Sequence, residues 1–440
     1  MNWKIFRAIL VVGACALIAK LAATAKELAV ADWFGRGDAL DAFLIALLLP
    51  TTVVSLVAGS FNAALIPTYI QVRDKQGRMA AQRLFSNVQV VSLLLLTVLC
   101  ILMAAGAPYY LPLLGSGFSA AKLLLTRHLL YLLLPFVITN GTLIIWAAVL
   151  NAGERFALPA LIPVVTPLVT LLTLFLLGPT WGIFSLAVGM VAGSILEVFL
   201  LGRALKAQDL GMRPRWEGMT PELRLVIGQY APMIAGSLVM GVSPIIDQSM
   251  AAMLKGGSVS ALGYGYRIVN VIVTLATTGL STAVLPYFSE MVARNDWTAC
   301  RRTLKVYSLL VLSTTIPLTI CLILGSRPLV RLLYQHGAFN QADTEVVSAV
   351  QIYFSFLIPF TTWCMLFVRF LSSLRRNDVL AYGAVLNACL NVLLNIIFMR
   401  RLGVAGIALS TSAVCLFSCL LLGLLVVLLL RQKEAGSCSA

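Results

Sequence analysis

Lys20, Lys26 and Glu27 interrupt a run from Ile5 to Val30 that is otherwise almost wholly apolar. Asp41, Glu197, Asp247, Arg267 and Arg369 also lie within or at the edge of apolar stretches. An ionised group at the centre of a membrane helix costs about 2.5–3.5 kcal/mol, so side chains of this kind face water or a partner rather than lipid. Lysine and arginine in such places do electrostatic work: they donate charge-assisted hydrogen bonds to water and anions, and no bond is made or broken. On a helix turning about 100° per residue, Lys20 and Glu27 fall within about 20° of each other and Lys26 about 120° from Lys20. One helix thus offers a cationic side and an acid able to hold it.

Each of these residues also has a plainer use. A lysine can bury its stem in lipid and carry its ammonium to the interface. Lys26, a few residues before Asp32, suits that role as well as a cavity, while Lys20 sits nearer mid-span and suits the cavity better. Arg267 in YGYRIVN either faces the cavity or anchors at the interface beside Tyr264 and Tyr266.

A second, mostly uncharged group lies near the C-terminus. Asn387, Asn391 and Asn395 recur every four residues and so form one polar stripe on a helix. Asparagines in lipid often hydrogen-bond to neighbouring helices. Asp247, however, needs a positive partner, and a carboxylate with amide oxygens is the hard oxygen set that a small cation prefers. A coupling-ion site is the sharper expectation.

Covalent chemistry has few candidates. His128 and His336 lack triad partners and metal ligands, and the nine cysteines are scattered without a CxxC pair, as small apolar filler would be. No GxxxxGK[ST] loop is present, which excludes ATP as the direct energy source by that route.

The elements that must position these residues follow from composition. The chain has 440 residues, 60% hydrophobic and 11% charged, far from an ordinary soluble domain. Apolar runs of membrane-spanning length recur about twelve times, near 5–30, 40–70, 84–106, 126–150, 156–178, 181–204, 223–250, 258–288, 303–325, 345–372, 378–399 and 403–430. The net charge of +15 does not point to nucleic acid, because the basic residues fall on alternate loops: Arg73 to Arg83, Arg203 to Arg224, and Arg294 to Lys305. With Lys4, Arg7, Arg431 and Lys433 at the ends, the positive-inside rule places both termini in the cytoplasm. The first span is too long and too charged for a removable signal peptide.

An internal repeat divides the spans. ALIPTY (64–69) is echoed by AVLPYF (283–288), and LPF (134–136) by IPF (358–360), at an offset drifting from 219 to 224. The expected organisation is an all-α integral membrane protein with about twelve transmembrane helices in two six-helix lobes. The lobes are residues 1–208 and 225–440, joined by a cytoplasmic linker at 209–224 that is polar and carries prolines. Transporters with such parallel repeats rock two bundles about a central site.

FGRGDALDAFLIALLLP (34–50), GSFNAALIP (59–67), GGSVSALGYGYR (256–267), VLPYFS (284–289) and LLYQHGAFNQAD (332–343) resemble signature stretches of the MurJ/MviN family. These are lipid II flippases of a superfamily that includes MATE multidrug and Wzx-type oligosaccharide exporters. The resemblance runs through nearly the whole chain. It implies alternating access in the bacterial inner membrane, moving a polyprenyl-diphosphate-linked saccharide from inner to outer leaflet, with glycan-polymerising membrane enzymes as further partners. It also implies substrate-binding roles for Lys20, Lys26, Glu27, Asp41 and Arg267, and a sodium site at Asp247, Asn391, Asn395 and Thr411.

The sequence departs from the family in several places. PTTVVSLVAG (50–59) lacks the usual arginine, Tyr266 and Asn270 stand where acids commonly flank Arg267, and lysines replace arginines in the first span. A lysine is a point charge where arginine is a bidentate fork. Many members also have two more helices than the twelve expected here. An exopolysaccharide or O-antigen unit is therefore an alternative cargo to lipid II. Two other classes compete. A MATE-like exporter of organic cations would want acids and aromatics in its cavity. A membrane polymerase or ligase would want positioned catalytic groups on a sizeable outer loop, and the segments near 107–122 and 326–344 hold no carboxylate pair.

Overall fold

The computed structural model describes residues 3–153, 155–207, 215–374 and 376–437, and among them the secondary structure is helical, with no strand. In a bilayer every backbone N–H and C=O must be satisfied within the protein, which a helix does by itself. Two compact units result, Met1–Gly241 and Val242–Ala440.

The first unit holds α1 (Trp3–Phe34), α2 (Asp38–Gln76), α3 (Arg78–Leu114), α4 (Ala120–Ala152), α5 (Ala157–Leu161), α6 (Val165–Trp181), α7 (Phe184–Lys206) and the start of α8 (Pro221–Ala252). The second holds the rest of α8, then α9 (Ser258–Ala293), α10 (Trp297–Leu324), α11 (Ser326–Tyr334), α12 (Gln341–Ser355), α13 (Leu357–Ser373), α14 (Asn377–Leu402) and α15 (Val404–Ser437). Ten helical stretches among the described residues are long and apolar enough to cross a membrane, and α1 and α8, at 32 residues each, are long helices outside that number. The chain is a multi-pass all-α membrane protein.

The two units share a packing plan. In the first, α2 lies on α4, α6 on α7, and α4 on α7; in the second, α9 lies on α13, α14 on α15, and α13 on α15. The echoed segments sit at matching places, ALIPTY in α2 and AVLPYF in α9, LPF in α4 and IPF in α13. Each unit has its own apolar core, around Phe85, Leu96 and Trp146 in the first and around Phe288 and Phe370 in the second.

Helix α6 begins at a break. Pro159, Pro163 and Pro167 remove backbone donors and disfavour regular helix, and a 3-10 turn at Ile162–Val164 joins α5 to α6. The buried Glu197 of α7 accepts the freed Thr166 N–H at 2.9 Å, so this intramembrane acid is a helix cap. The close approach of α7 to α6 depends on Gly189 and Gly193, a small-xxx-small pair. A Cβ at Gly193 would stand 2.6 Å from Thr166 Cα, and one at Gly189 would stand 2.6 Å from Thr170 Cα.

Residues 209–214 of the predicted linker lie outside the described residues. The part that follows is strapped to α3. The amide of the fully buried Asn87 donates to Gly218 O at 3.2 Å and accepts from Glu217 N at 2.9 Å. Ser86 Oγ exchanges hydrogen bonds with Arg215 N and O at 2.7 and 2.9 Å, and Arg83 pairs with Glu217.

Candidate functional site

The cationic helix is α1, whose contacts run to α5, the 3-10 turn and α6. Lys20 is exposed, in company with exposed Leu17, Ile18 and Leu21. One turn and a half later Lys26 and Glu27, both half-buried, form an ion pair at 2.8 Å. The acid that the sequence places on the Lys20 side thus holds its neighbour Lys26, because adjacent long side chains meet by bending across the helix surface.

Asp41 lies in the first turn of α2 and is buried, 1% exposed. Its Oδ2 accepts from Lys122 Nζ at 3.3 Å, and the same ammonium donates to Asp38 Oδ1 at 2.6 Å and stands 3.8 Å from the Phe118 ring centroid. Lys122, in the first turn of α4 and itself buried, therefore clamps the start of α2 to the start of α4. Sequence reasoning misses it: AAKLLLTRH reads as an interfacial loop edge, and the pairing spans 81 residues. Lys122→Ala leaves the buried Asp41 carboxylate without this cation, at an expected loss of about 3–5 kcal/mol of stability, visible as a lower thermal midpoint in detergent. Asp38 is exposed and contributes less.

Arg267 is half-buried on α9, with its guanidinium 5.7 Å from the Tyr264 ring centroid. Tyr264 is fully buried against Tyr334 and Phe339, so this guanidinium lies beside a packed aromatic cluster. Gly265 lets α9 approach α12 there, since a Cβ would meet Val350 Cγ1 at 2.6 Å. Arg369 is half-buried on α13 and its Nε has no hydrogen-bond partner among the described residues.

The oxygen group assembles in the second unit from α8, α14 and α15. Asp247 Oδ1 accepts from Asn395 Nδ2 at 2.8 Å, Asp247 Oδ2 accepts from Thr411 Oγ1 at 2.9 Å, and Asn395 Nδ2 also reaches Asn391 Oδ1 at 3.2 Å. All four side chains come together, and Asp247, Asn391 and Asn395 are buried, the last at 0% exposure. Asn387, the first member of the stripe, is drawn away to Ser418 at 2.6 Å. Ser410, which the sequence gives no reason to choose, donates to Asn391 O at 3.3 Å. Among the described residues no basic side chain pairs with Asp247, and Asn395 Oδ1 is buried without a partner.

A buried carboxylate with no counter-charge and an orphaned amide oxygen beside it are both expensive in a low-dielectric interior. A monovalent cation among these oxygens would relieve both. It would need only that the Asn395 amide rotate its oxygen inward, since Asn391 Oδ1, Thr411 Oγ1 and both Asp247 oxygens are already gathered. No cluster of three or more His, Cys, Asp or Glu side chains occurs among the described residues.

Known proteins share this architecture. The family model described as "Lipid II flippase MurJ" matches residues 30–437. The lipid II flippase MurJ of Burkholderia cenocepacia is 26% identical over 95% of this chain and 83% of its own length. A probable lipid II flippase MurJ of Bdellovibrio bacteriovorus is 24% identical over 96% and 82%. Among solved structures, a lipid II flippase MurJ in an inward closed conformation superposes with a TM-score of 0.80 at 23% identity, covering 94% of this chain and 86% of that one. An inward-facing MATE multidrug transporter of the MOP superfamily superposes at 0.79 with 13% identity, covering 96% and 99%, which is a likeness of fold. The match along nearly the whole chain settles the family: this protein belongs to the MurJ lipid II flippases, and is a transporter rather than an enzyme.

Proposed function

We propose that this chain carries lipid II, or another polyprenyl-diphosphate-linked saccharide, from the inner to the outer leaflet of the bacterial inner membrane by alternating access. The observation that carries the reading is the family match over residues 30–437. The side chains agree with it. Lys20 and Lys26 on α1 and Arg267 on α9 are cations on membrane helices, and a diphosphate leaving water needs such donors. Glu27 tempers Lys26 through their ion pair, and Asp41, held by Lys122, positions the start of α2. The polyprenyl tail can stay in lipid throughout.

In this reading twelve helices span the membrane with both termini cytoplasmic, the lobes 1–208 and 225–440 move about the 209–224 linker, and glycan-polymerising enzymes receive the product. Asp247, Asn391, Asn395 and Thr411 would hold sodium, whose binding in the second unit would favour one of the two access states. The MATE-like fold admits drug export as a rival, but that cargo would want acids in place of Lys20, Lys26 and Arg267.

The test is growth rescue of cells depleted of their own lipid II flippase. Rescue identifies the peptidoglycan precursor as a competent cargo; failure with the protein stably inserted assigns another lipid-linked glycan.

A further inference from the structure

We propose that the end of the second unit carries a binding pocket for a phosphate-bearing anionic lipid headgroup, built by the short helix α11 against the start of α12. The proposal goes beyond the transport reading and stands without it, since it requires only that this unit sits in a membrane.

Helix α11 lies at the far end of α10 from that helix's basic start, Arg301, Arg302 and Lys305. Its nine residues are divided sharply by face. Ser326, Val330 and Tyr334, spaced by four, are buried. Arg327 and Arg331, also spaced by four, are exposed along the neighbouring stripe and lead to Gln335. The buried side is firmly held. Ser326 Oγ donates to Ser348 O at 3.0 Å, and Tyr334 packs on Tyr264 with ring centroids 5.0 Å apart. The cationic stripe therefore has a fixed position and pays little ordering entropy when it binds.

Across from it, α12 begins with a capping box in which Asn340 and Asp343 satisfy each other's backbone donors. That pairing engages the Asp343 carboxylate, so the nearest acid in sequence is turned to the backbone. Between the two helices lies a pocket of about 290 Å³ lined by Arg327, Pro328, Arg331, Gln335, Gln341 and Thr344. Thr344 Oγ1 reaches Gln335 Oε1 at 3.1 Å, which leaves the Gln335 NH2 group to donate elsewhere. Arg327 shares one nitrogen with Glu345, and a guanidinium has five donors. No acid pairs with Arg331 among the described residues.

The pocket is thus rich in donors, with one acid at its rim, which is the pattern that selects a phosphate oxyanion. Leu324, at the end of α10, and Leu332, on α11 itself, are 79% and 73% exposed. Apolar side chains beside a cationic pocket at the end of a membrane helix fit a lipid, whose acyl chains lie along the leucines while its phosphate meets the arginines.

The experiment uses the full chain in detergent, titrated with phosphatidylglycerol, with phosphatidylcholine as control and inorganic pyrophosphate in a parallel arm, and bound ligand is counted by native mass spectrometry. Arg331→Gln breaks no ion pair among the described residues and should weaken phosphatidylglycerol retention roughly tenfold, the effect of losing one charge-assisted contact. Adding Arg327→Gln should remove the preference over phosphatidylcholine, and Arg331→Lys should lose less than Arg331→Gln. If pyrophosphate binding is lost in the same variants, the pocket reads phosphate from water as well as from lipid. Wild-type retention of both ligands by the double variant, with unchanged elution and thermal midpoint, would overturn the proposal. Arg302→Gln, at the opposite end of α10, keeps the pocket and should bind phosphatidylglycerol as wild type does; a loss there instead would place the lipid at the basic start of α10 and also overturn it.

Discussion

Alanine at Lys20 or at Arg267 is expected to abolish rescue of flippase-depleted cells while the protein remains folded and inserted. Both residues are cations carried on long helices, Lys20 exposed on α1 and Arg267 half-buried on α9. Arg267 rests on Tyr264 through its ring face, so Arg267→Lys keeps the charge but loses the planar fork and the stacking. We expect that variant to keep partial activity. Lys20→Arg should be tolerated, because it supplies the same charge with more donors. The losses arise from leaving a translocating diphosphate without its counter-charge, an effect of roughly a hundredfold or more in rate per cation removed. Vesicle translocation assays with fluorescent lipid-linked substrate give the direct measure. Normal flipping by both alanine variants would end the cationic model.

The second large effect concerns sodium. Asp247 is a buried carboxylate whose partners among the described residues are neutral, Asn395 and Thr411. A ligand that binds only the folded state raises its stability with concentration, so the wild-type thermal midpoint should rise when sodium replaces choline as the salt cation. Asp247→Asn should abolish that response. It should also raise stability in the absence of sodium, because it removes an uncompensated buried charge. Asn395→Asp adds a second carboxylate at the orphaned amide position and should tighten sodium binding about tenfold or more. An identical sodium response in wild type and Asp247→Asn would remove the ion from this site. Transport measured under the same two salts separates a coupling role from a purely stabilising one.

Much of the fold was legible without coordinates because the bilayer imposes a coarse rule that composition can read: about twenty apolar residues per crossing, helical throughout. The echo of ALIPTY in AVLPYF and of LPF in IPF also survives folding, since both pairs occupy corresponding helices with corresponding partners. The oxygen site was legible in part. A period of four puts Asn387, Asn391 and Asn395 on one face, and periodicity cannot say that Ser418 takes the first of them while Asp247 takes the last.

By itself the sequence determined the solvent, the secondary structure and the sign of the charges available to a substrate, because each depends on local chemistry that a short window contains. Only the tertiary structure decided the pairings. Lys122 holds Asp41 from 81 residues away, Thr411 meets Asp247 across 164, and Glu197 turns inward to cap a helix. A charge in a low-dielectric interior must find a partner, and which partner it finds is set by how helices distant in the chain come to lie side by side.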